Sequence, residues 1–227
     1  MATESSPVIQ QVGRSPDVTN ADVCNDMYHP DLESAATSLL RDRYGRSLQF
    51  RDLYSDSKAI IIFVRNFLCY TCKEYVEDLA KIPKSYLQAA DVRLIVIGQS
   101  SYLHIQHFCD VTGYSHEIYV DTNRDIYCKL GMKKGESSGA SAGSPHVKSN
   151  IITGSIKSIW RAMESPAFDF QGDPAQQGGA VIVGPGNRVH FLHRDTNRYD
   201  HVPIGSLLYY AGVQTVHFGA KSQILEV

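Results

Sequence analysis

Between Lys58 and Leu87 an apolar run, Ala59-Ile60-Ile61-Ile62-Phe63-Val64, passes through Arg65-Asn66-Phe67-Leu68 into Cys69-Tyr70-Thr71-Cys72 and then into a segment with helical periodicity. A buried strand that delivers a C-x-x-C onto the start of a helix is a redox device, and few folds offer that junction. Backbone N–H groups at a helix start lack intrahelical partners and the helix dipole is positive there, so a thiolate forms more readily than on a free cysteine. Cys69 is therefore the candidate attacking sulfur. Cys72 lies one helical turn further on, placed to displace whatever bonds to Cys69 and to leave an intramolecular disulfide, which makes it the resolving partner. Two cysteines at this spacing also occur as inert packing or as half of a zinc site. The chain has no second C-x-x-C, which favours redox chemistry over zinc.

Cys72, Tyr75, Val76 and Leu79 repeat at three and four residues and place an apolar stripe on one helix face, with Lys73, Glu74, Glu77, Asp78 and Lys81 largely opposite, toward water. Pro83 removes a backbone donor and is expected to kink or end this helix. Burial beside Phe67 and Tyr70 opposes thiolate formation, whereas the helix dipole, Arg65 and Lys73 favour it. The second set is expected to win, so that Cys69 titrates below the free value of about 8.5.

At 227 residues the chain is long enough to bury a proper core, and one domain with extensions is expected: a tail over 1–30, a domain over 31–216 and a tail over 217–227. A net charge of −2 argues against nucleic acid or an acidic membrane as the main partner. No apolar run reaches the roughly 18 residues that would suggest a membrane span. The first residues have neither a basic start nor an apolar core, and Glu4, Asp17, Asp22 and Asp26 disfavour a transit peptide, so a cytoplasmic location is expected. Five cysteines without regular spacing do not form a disulfide framework, and a reducing compartment suits a dithiol that must cycle.

In chain order, Asp31 to Leu40 is expected to form a short helix, and Leu48-Gln49-Phe50 with Leu53 lead to the central strand. Val92 to Ile97 is a second apolar strand. Ser100 or Ser101 caps a helix with Tyr102, Ile105, Phe108, Cys109 and Thr112 on one face, ending at Gly113. Glu117 to Val120 is a short strand, and Asp121 caps a helix carrying Ile126, Tyr127 and Leu130. Cys109 reads as core, Cys128 as structural and Cys24 as incidental. Residues 133–150 read as a low-complexity surface loop, Ile151 to Met163 as a helix over the core, and 169–177 as an irregular loop. Gly179 to Val183 and Arg188 to His193 form a hairpin around Gly184-Pro185-Gly186-Asn187, followed by a helix from Pro203 to Gly212. This order predicts an α/β chain of thioredoxin-like topology, with a central mixed sheet and helices on both faces.

Competing constellations are weaker. His190, His193, Asp195, Asp200 and His201 suggest a metal cluster, but along a strand His190 and His193 point to opposite faces, and an exposed strand end is the simpler reading. Ser100, Ser101 and His104 lack a nucleophile elbow. No G-x-G-x-x-G follows a strand, so no nicotinamide or flavin is expected to be bound. Reducing equivalents are then expected from another protein, thioredoxin with its NADPH system or glutathione.

The segment Asn66 to Pro83, the run Tyr119-Val120-Asp121 with Arg124, Tyr127, Leu130 and Gly131, the Gln176-Gln177-Gly178-Gly179 entry to the hairpin and His193-Arg194-Asp195 after it resemble the peroxiredoxin-like 2 family of the AhpC/TSA superfamily, from about Arg43 to Val216. The resemblance implies a thioredoxin fold and thiol-dependent antioxidant or reductase chemistry on a peroxide, an endoperoxide or a disulfide. The wider peroxiredoxin class carries Thr or Ser three residues before the reactive cysteine and a proline just after it. Asn66 and Tyr70 stand at those places, which motivates an alternative: a catalytically weak, thioredoxin-like interaction or signalling protein. In thioredoxin-like folds the loop entering the hairpin faces the C-x-x-C, which nominates Gln177 and Gly178 as substrate-side backbone. Pro174 lies too early in that loop for the cis-proline that thioredoxins place there.

Overall fold

Along Ala59 to Val64 successive side chains fall alternately into two buried environments, and this alternation sets the centre of the molecule. The computed structural model describes residues 30–135 and 171–213. Its elements in chain order are α1 (Leu32–Ala36), β1 (Leu39–Arg41), β2 (Ser47–Gln49), β3 (Lys58–Phe63), α2 (Tyr70–Leu79), α3 (Lys84–Ala89), β4 (Val92–Gly98), α4 (Ile105–Thr112), β5 (Glu117–Val120), α5 (Asp125–Lys129), β6 (Gly179–Gly184), β7 (Arg188–Arg194) and α6 (Ile204–Ala211). Seven strands form one sheet in the order β2-β1-β5-β4-β3-β6-β7. β3 pairs parallel with β4 and β4 parallel with β5, while the remaining pairs are antiparallel.

On one face, Ile60, Ile62, Leu94, Val96, Ala180 and Ile182 pack against α2, α3, α4 and α6. On the other, Ala59, Ile61, Phe63, Ile95, Ile97, Val181 and Val183 meet α1, α5 and the 3-10 turn at Phe50–Leu53. Burying such a side chain stabilises the fold by roughly 1.5–3 kcal/mol, which is why a strand apolar on both sides belongs in the middle of a sheet. The expected mixed sheet with helices on both faces is what forms.

Several local expectations need correction. The helix at Asp31 stops at Ala36, capped by Asp31 Oδ1 accepting from the Ser34 amide, and Leu39 and Leu40 belong to β1 instead. Leu40 is buried by pairing with Leu48, a gain the isolated helix would not have. Asp78 does not face water: it is buried, with Lys81 Nζ 2.6 Å from its carboxylate. The break expected at Pro83 is an ending rather than a kink: α2 stops at Leu79, and Pro83 stands at the N-cap of α3. Residues 133–135, the described part of the expected 133–150 surface loop, are exposed, and there Lys134 bridges to Gln176 and the Gly135 amide donates to Ala175 O at 2.8 Å. The tail over 1–29 with Cys24, the rest of the 133–150 loop, the helix at Ile151–Met163 and the residues after Val213 lie outside the described residues.

α2 begins where β3 ends, at the carboxyl edge in the middle of the sheet. Between them Phe67 turns inward and stacks on Phe108 of α4 with ring centroids 4.4 Å apart. Gly98, at the end of β4, makes room for that ring: a Cβ there would lie 2.5 Å from Phe67 Cε1. Gly98→Val is expected to destabilise the fold by about 1–3 kcal/mol. Urea unfolding measures this as a lowered midpoint at unchanged slope.

Candidate active site

The loop from β3 to α2 is set by its own polar groups. Asn66 Oδ1 accepts from the Leu68 amide at 3.0 Å and Asn66 O accepts from the Cys69 amide at 3.3 Å, turning the chain so that Cys69 becomes the N-cap of α2. Cys69 has extended backbone (φ −65°, ψ 116°), and its carbonyl accepts from the Lys73 amide in the first helical turn. Its sulfur is 3.1 Å from Thr71 Oγ1 and 3.8 Å from Arg65 Nη1. The side chain is almost closed off, 9% exposed, and Cys72 beneath it is 0% exposed. Both are free thiols.

The two sulfurs are driven apart in acidity. A hydrogen bond from the Cys72 thiol holds Cys69 well below the usual thiol range. Burial opposes this, and the Arg65 guanidinium, the Thr71 hydroxyl and the Cys72 amide add to it. Cys72 moves well above its ordinary value, because burial penalises a second thiolate and the neighbouring Cys69 sulfur repels one. The arrangement therefore favours one thiolate and one thiol, the pairing that thiol–disulfide exchange needs. Of the two expected cations, Arg65 meets the sulfur, while Lys73 stays half-exposed along α2.

Arg65 is 3% exposed and is held from the far side by the hairpin-entry loop. Its Nη2 donates to Pro174 O at 2.9 Å and its Nε to Gln176 O at 3.4 Å. Its own carbonyl accepts from Gln99 Nε2, which also donates to Asp173 O at 2.8 Å. The loop thus reaches the site through the carbonyls of Pro174 and Gln176. Gln177 and Gly178 are turned to internal work instead: the Gln177 amide donates to Lys133 O at 2.8 Å, and Gly178 O accepts from the Asp195 amide at 3.1 Å. A Cβ on Gly178 would lie 2.1 Å from Phe63 O, so the strand and the loop touch only because that position is glycine. Among the described residues no peptide bond is cis.

The segment expected to be an exposed strand end is folded against the same region. β7 is bulged at His190, and His193 opposite Ala180 turns to the face that carries α2. Asp195 and His201 are buried, with His201 Nδ1 2.8 Å from Asp195 Oδ2. His193 Nε2 lies 3.4 Å from Asp195 Oδ1 and 3.6 Å from Asp200 Oδ2. Burial disfavours charge on His193, but the Asp200 and Asp195 carboxylates outweigh it and raise its affinity for a proton. The Tyr70 hydroxyl donates to Tyr199 Oη at 3.1 Å, tying this turn to the first residue of α2. Among the described residues no group of three or more His, Cys, Asp and Glu is placed to hold a metal ion.

The structure thus brings Cys69, Cys72 and Arg65 together as the sequence suggests. Thr71 was not singled out, although it was visible inside the motif as a hydroxyl two residues from the sulfur. Asp195 and His201 were singled out as a weak metal cluster and read as an exposed strand end, not as part of this site. Cys109 is buried in the core as expected, with burial pushing its thiol up.

Comparison with known proteins agrees with this architecture. The model of the AhpC/TSA antioxidant enzyme family matches residues 78–197. Peroxiredoxin-like 2C of Bos taurus is 59% identical over 200 residues, 88% of this chain and 88% of its own. Peroxiredoxin-like 2C of Homo sapiens is 54% identical over 222 residues, 98% of each chain. The solved structure of peroxidoxin BcpB from Mycobacterium tuberculosis superposes with a TM-score of 0.53 at 10% identity, covering 77% of this chain and 90% of that one, and shows the fold.

In a Cys72→Ser background, the pH midpoint of Cys69 alkylation is expected below about 8.5. Arg65→Met and Thr71→Val are each expected to move it upward, since each removes a group that favours the anion. Stopped-flow alkylation across pH checks both.

Proposed function

The chain belongs to the peroxiredoxin-like 2 family of AhpC/TSA antioxidant enzymes, and from that premise we propose that Cys69 is the attacking thiolate and Cys72 the resolving thiol of a thiol oxidoreductase. Family and fold together support a redox function. The observation that carries the finer reading is the sulfur of Cys69 at the N-cap of α2, with Arg65 at 3.8 Å and Thr71 at 3.1 Å favouring its anion.

The acceptor is a peroxide, an endoperoxide or a disulfide. With a hydroperoxide, Cys69–S⁻ attacks one oxygen, the O–O bond breaks, and the sulfur becomes a sulfenic acid while an alcohol leaves after taking a proton. Cys72–SH then displaces water and forms the Cys69–Cys72 disulfide. With a disulfide acceptor, Cys69–S⁻ forms a mixed disulfide and Cys72 releases it. A thioredoxin-type dithiol, or glutathione, then restores both thiols in a reducing compartment such as the cytoplasm.

Arg65 contributes twice in this reading. Its charge favours the resting thiolate, and the same charge faces the negative charge that develops on a departing oxygen or sulfur. Thr71 supplies a hydroxyl at the sulfur, a role that residue type plays from the position of Asn66 in the wider class. Asn66 here shapes the loop through the Leu68 amide instead.

A second reading, a catalytically weak interaction protein of the same fold, is favoured by one observation: Cys69 is only 9% exposed, leaving a narrow approach for a reactant. A coupled assay with thioredoxin, its reductase and NADPH, run against hydrogen peroxide, a lipid hydroperoxide and a protein disulfide, separates the two. Turnover with at least one acceptor is expected, abolished in Cys69→Ser and reduced to a single, unrecycled event in Cys72→Ser. No turnover with any acceptor would favour the interaction protein.

A further inference from the structure

The buried histidine against Tyr75 of α2 takes no part in the thiol chemistry proposed for Cys69 and Cys72. His201 is 7% exposed and its ring lies against Tyr75 of α2, with centroids 4.8 Å apart. Tyr75 is itself pinned, its hydroxyl donating to Val202 O at 2.6 Å. Nδ1 of His201 is held by Asp195 at 2.8 Å, and Asp195 is shared with His193. Nε2, on the other side of the ring, is buried with no hydrogen-bond partner among the described residues. The Asp195 carboxylate therefore fixes the ring, and a carboxylate at hydrogen-bond distance favours the imidazolium over the neutral imidazole.

Asp195 after β7 touches His201 and the phenol of Tyr75 covers its ring face, while Cys69 at the start of α2 and Arg65 in the loop before it act on it through space, by charge. His193 and Asp200 stand behind Asp195. Burial disfavours the imidazolium and Arg65 repels it, yet Asp195 and the Cys69 sulfur together raise the proton affinity of His201. With Cys69 as thiolate, Asp195 as carboxylate, and Arg65 and His201 as cations, the buried group is neutral. Without the His201 proton it carries one uncompensated negative charge, which a low-dielectric interior penalises.

We propose that His201, held by Asp195, is a positioning residue of the dithiol site: its imidazolium is a buried counter-charge to the Cys69 thiolate and yields its proton when that thiolate is consumed. This rests on the reading of Cys69 as the attacking sulfur. When Cys69–S⁻ takes one oxygen of ROOH, an S–O bond forms and the O–O bond breaks with its electron pair on RO⁻. Sulfur is oxidised by two electrons and the peroxide is reduced by two. The anion that stabilised the imidazolium disappears in the same step, so His201 releases its proton, and the products are Cys69–SOH, ROH and a neutral imidazole. Cys72–SH then condenses with Cys69–SOH, forming the S–S bond and releasing water. A donor dithiol reduces that disulfide and becomes a disulfide itself. One of its protons stays on Cys72 and the other returns to His201 as Cys69 ionises.

Coupling between two titrating groups is reciprocal, so it is read from either side. NMR titration of the His201 imidazole is run on reduced Cys72→Ser and on the Cys69→Ser, Cys72→Ser double variant. Losing the Cys69 sulfur is expected to lower the His201 midpoint by about one pH unit, a tenfold loss of proton affinity. Conversely, His201→Gln in the Cys72→Ser background is expected to raise the Cys69 alkylation midpoint, cutting the thiolate fraction several-fold at a pH below that midpoint. An unchanged His201 midpoint on loss of Cys69 overturns the proposal, and this measurement stands even where His201→Gln does not fold. Failure here with Cys69-dependent turnover intact sinks only the role of His201. Absence of Cys69-dependent turnover in the native chain sinks the reading beneath it.

Discussion

The constraint on which this site depends is a sulfur at the start of a helix with little access to water. Water would stabilise the Cys69 thiolate freely, but only a small part of that side chain reaches solvent. The protein replaces water with oriented donors: the Cys72 thiol and amide, the Thr71 hydroxyl and the Arg65 guanidinium. Each is fixed by something larger than itself. Thr71 and Cys72 are fixed by the first turn of α2, and Arg65 by the carbonyls of Pro174 and Gln176, more than a hundred residues away in sequence. Pre-organised donors of this kind favour an anion without reorganising when it reacts.

The sheet makes that arrangement possible. β3, flanked by β4 and β6, is buried on both faces and cannot shift register without exposing one of them. Its carboxyl end therefore delivers Arg65 and Cys69 to a constant place. Two glycines let the surroundings close in. Gly98 admits the Phe67 ring under the loop, and Gly178 lets the hairpin entry touch the backbone of Phe63. The contact at Gly178 also brings Asp195 alongside, and with it His201, so one close backbone approach joins the dithiol to a second set of charges.

What was legible in the sequence follows from how local its cause is. The six-residue apolar run, the hairpin at Gly184–Asn187 and the helices ending at Gly113 and Gly212 are local patterns, and all form as expected. Cys69, Cys72 and Arg65 lie within eight positions of one another and were equally visible. The errors occur where tertiary contact overrides local preference. Leu39 and Leu40 suit a helix, yet pairing with β2 draws them into a strand. Asp78 sits on the polar side of a helical wheel, yet it is buried with Lys81 over it. His193, Asp195 and His201 read as an exposed strand end because nothing nearby in sequence reveals that Asp195 and His201 are buried, with Tyr75 of α2 against the His201 ring.

The central claim is that reduced protein holds one thiolate on Cys69 while Cys72 stays protonated. Ultraviolet thiolate absorbance of the fully reduced chain, followed across pH in the native protein and in Cys69→Ser, tests it most directly. The account predicts absorbance that persists well below pH about 8.5 and disappears in Cys69→Ser. Absorbance that rises only at or above that pH, or that survives the loss of Cys69, would contradict it.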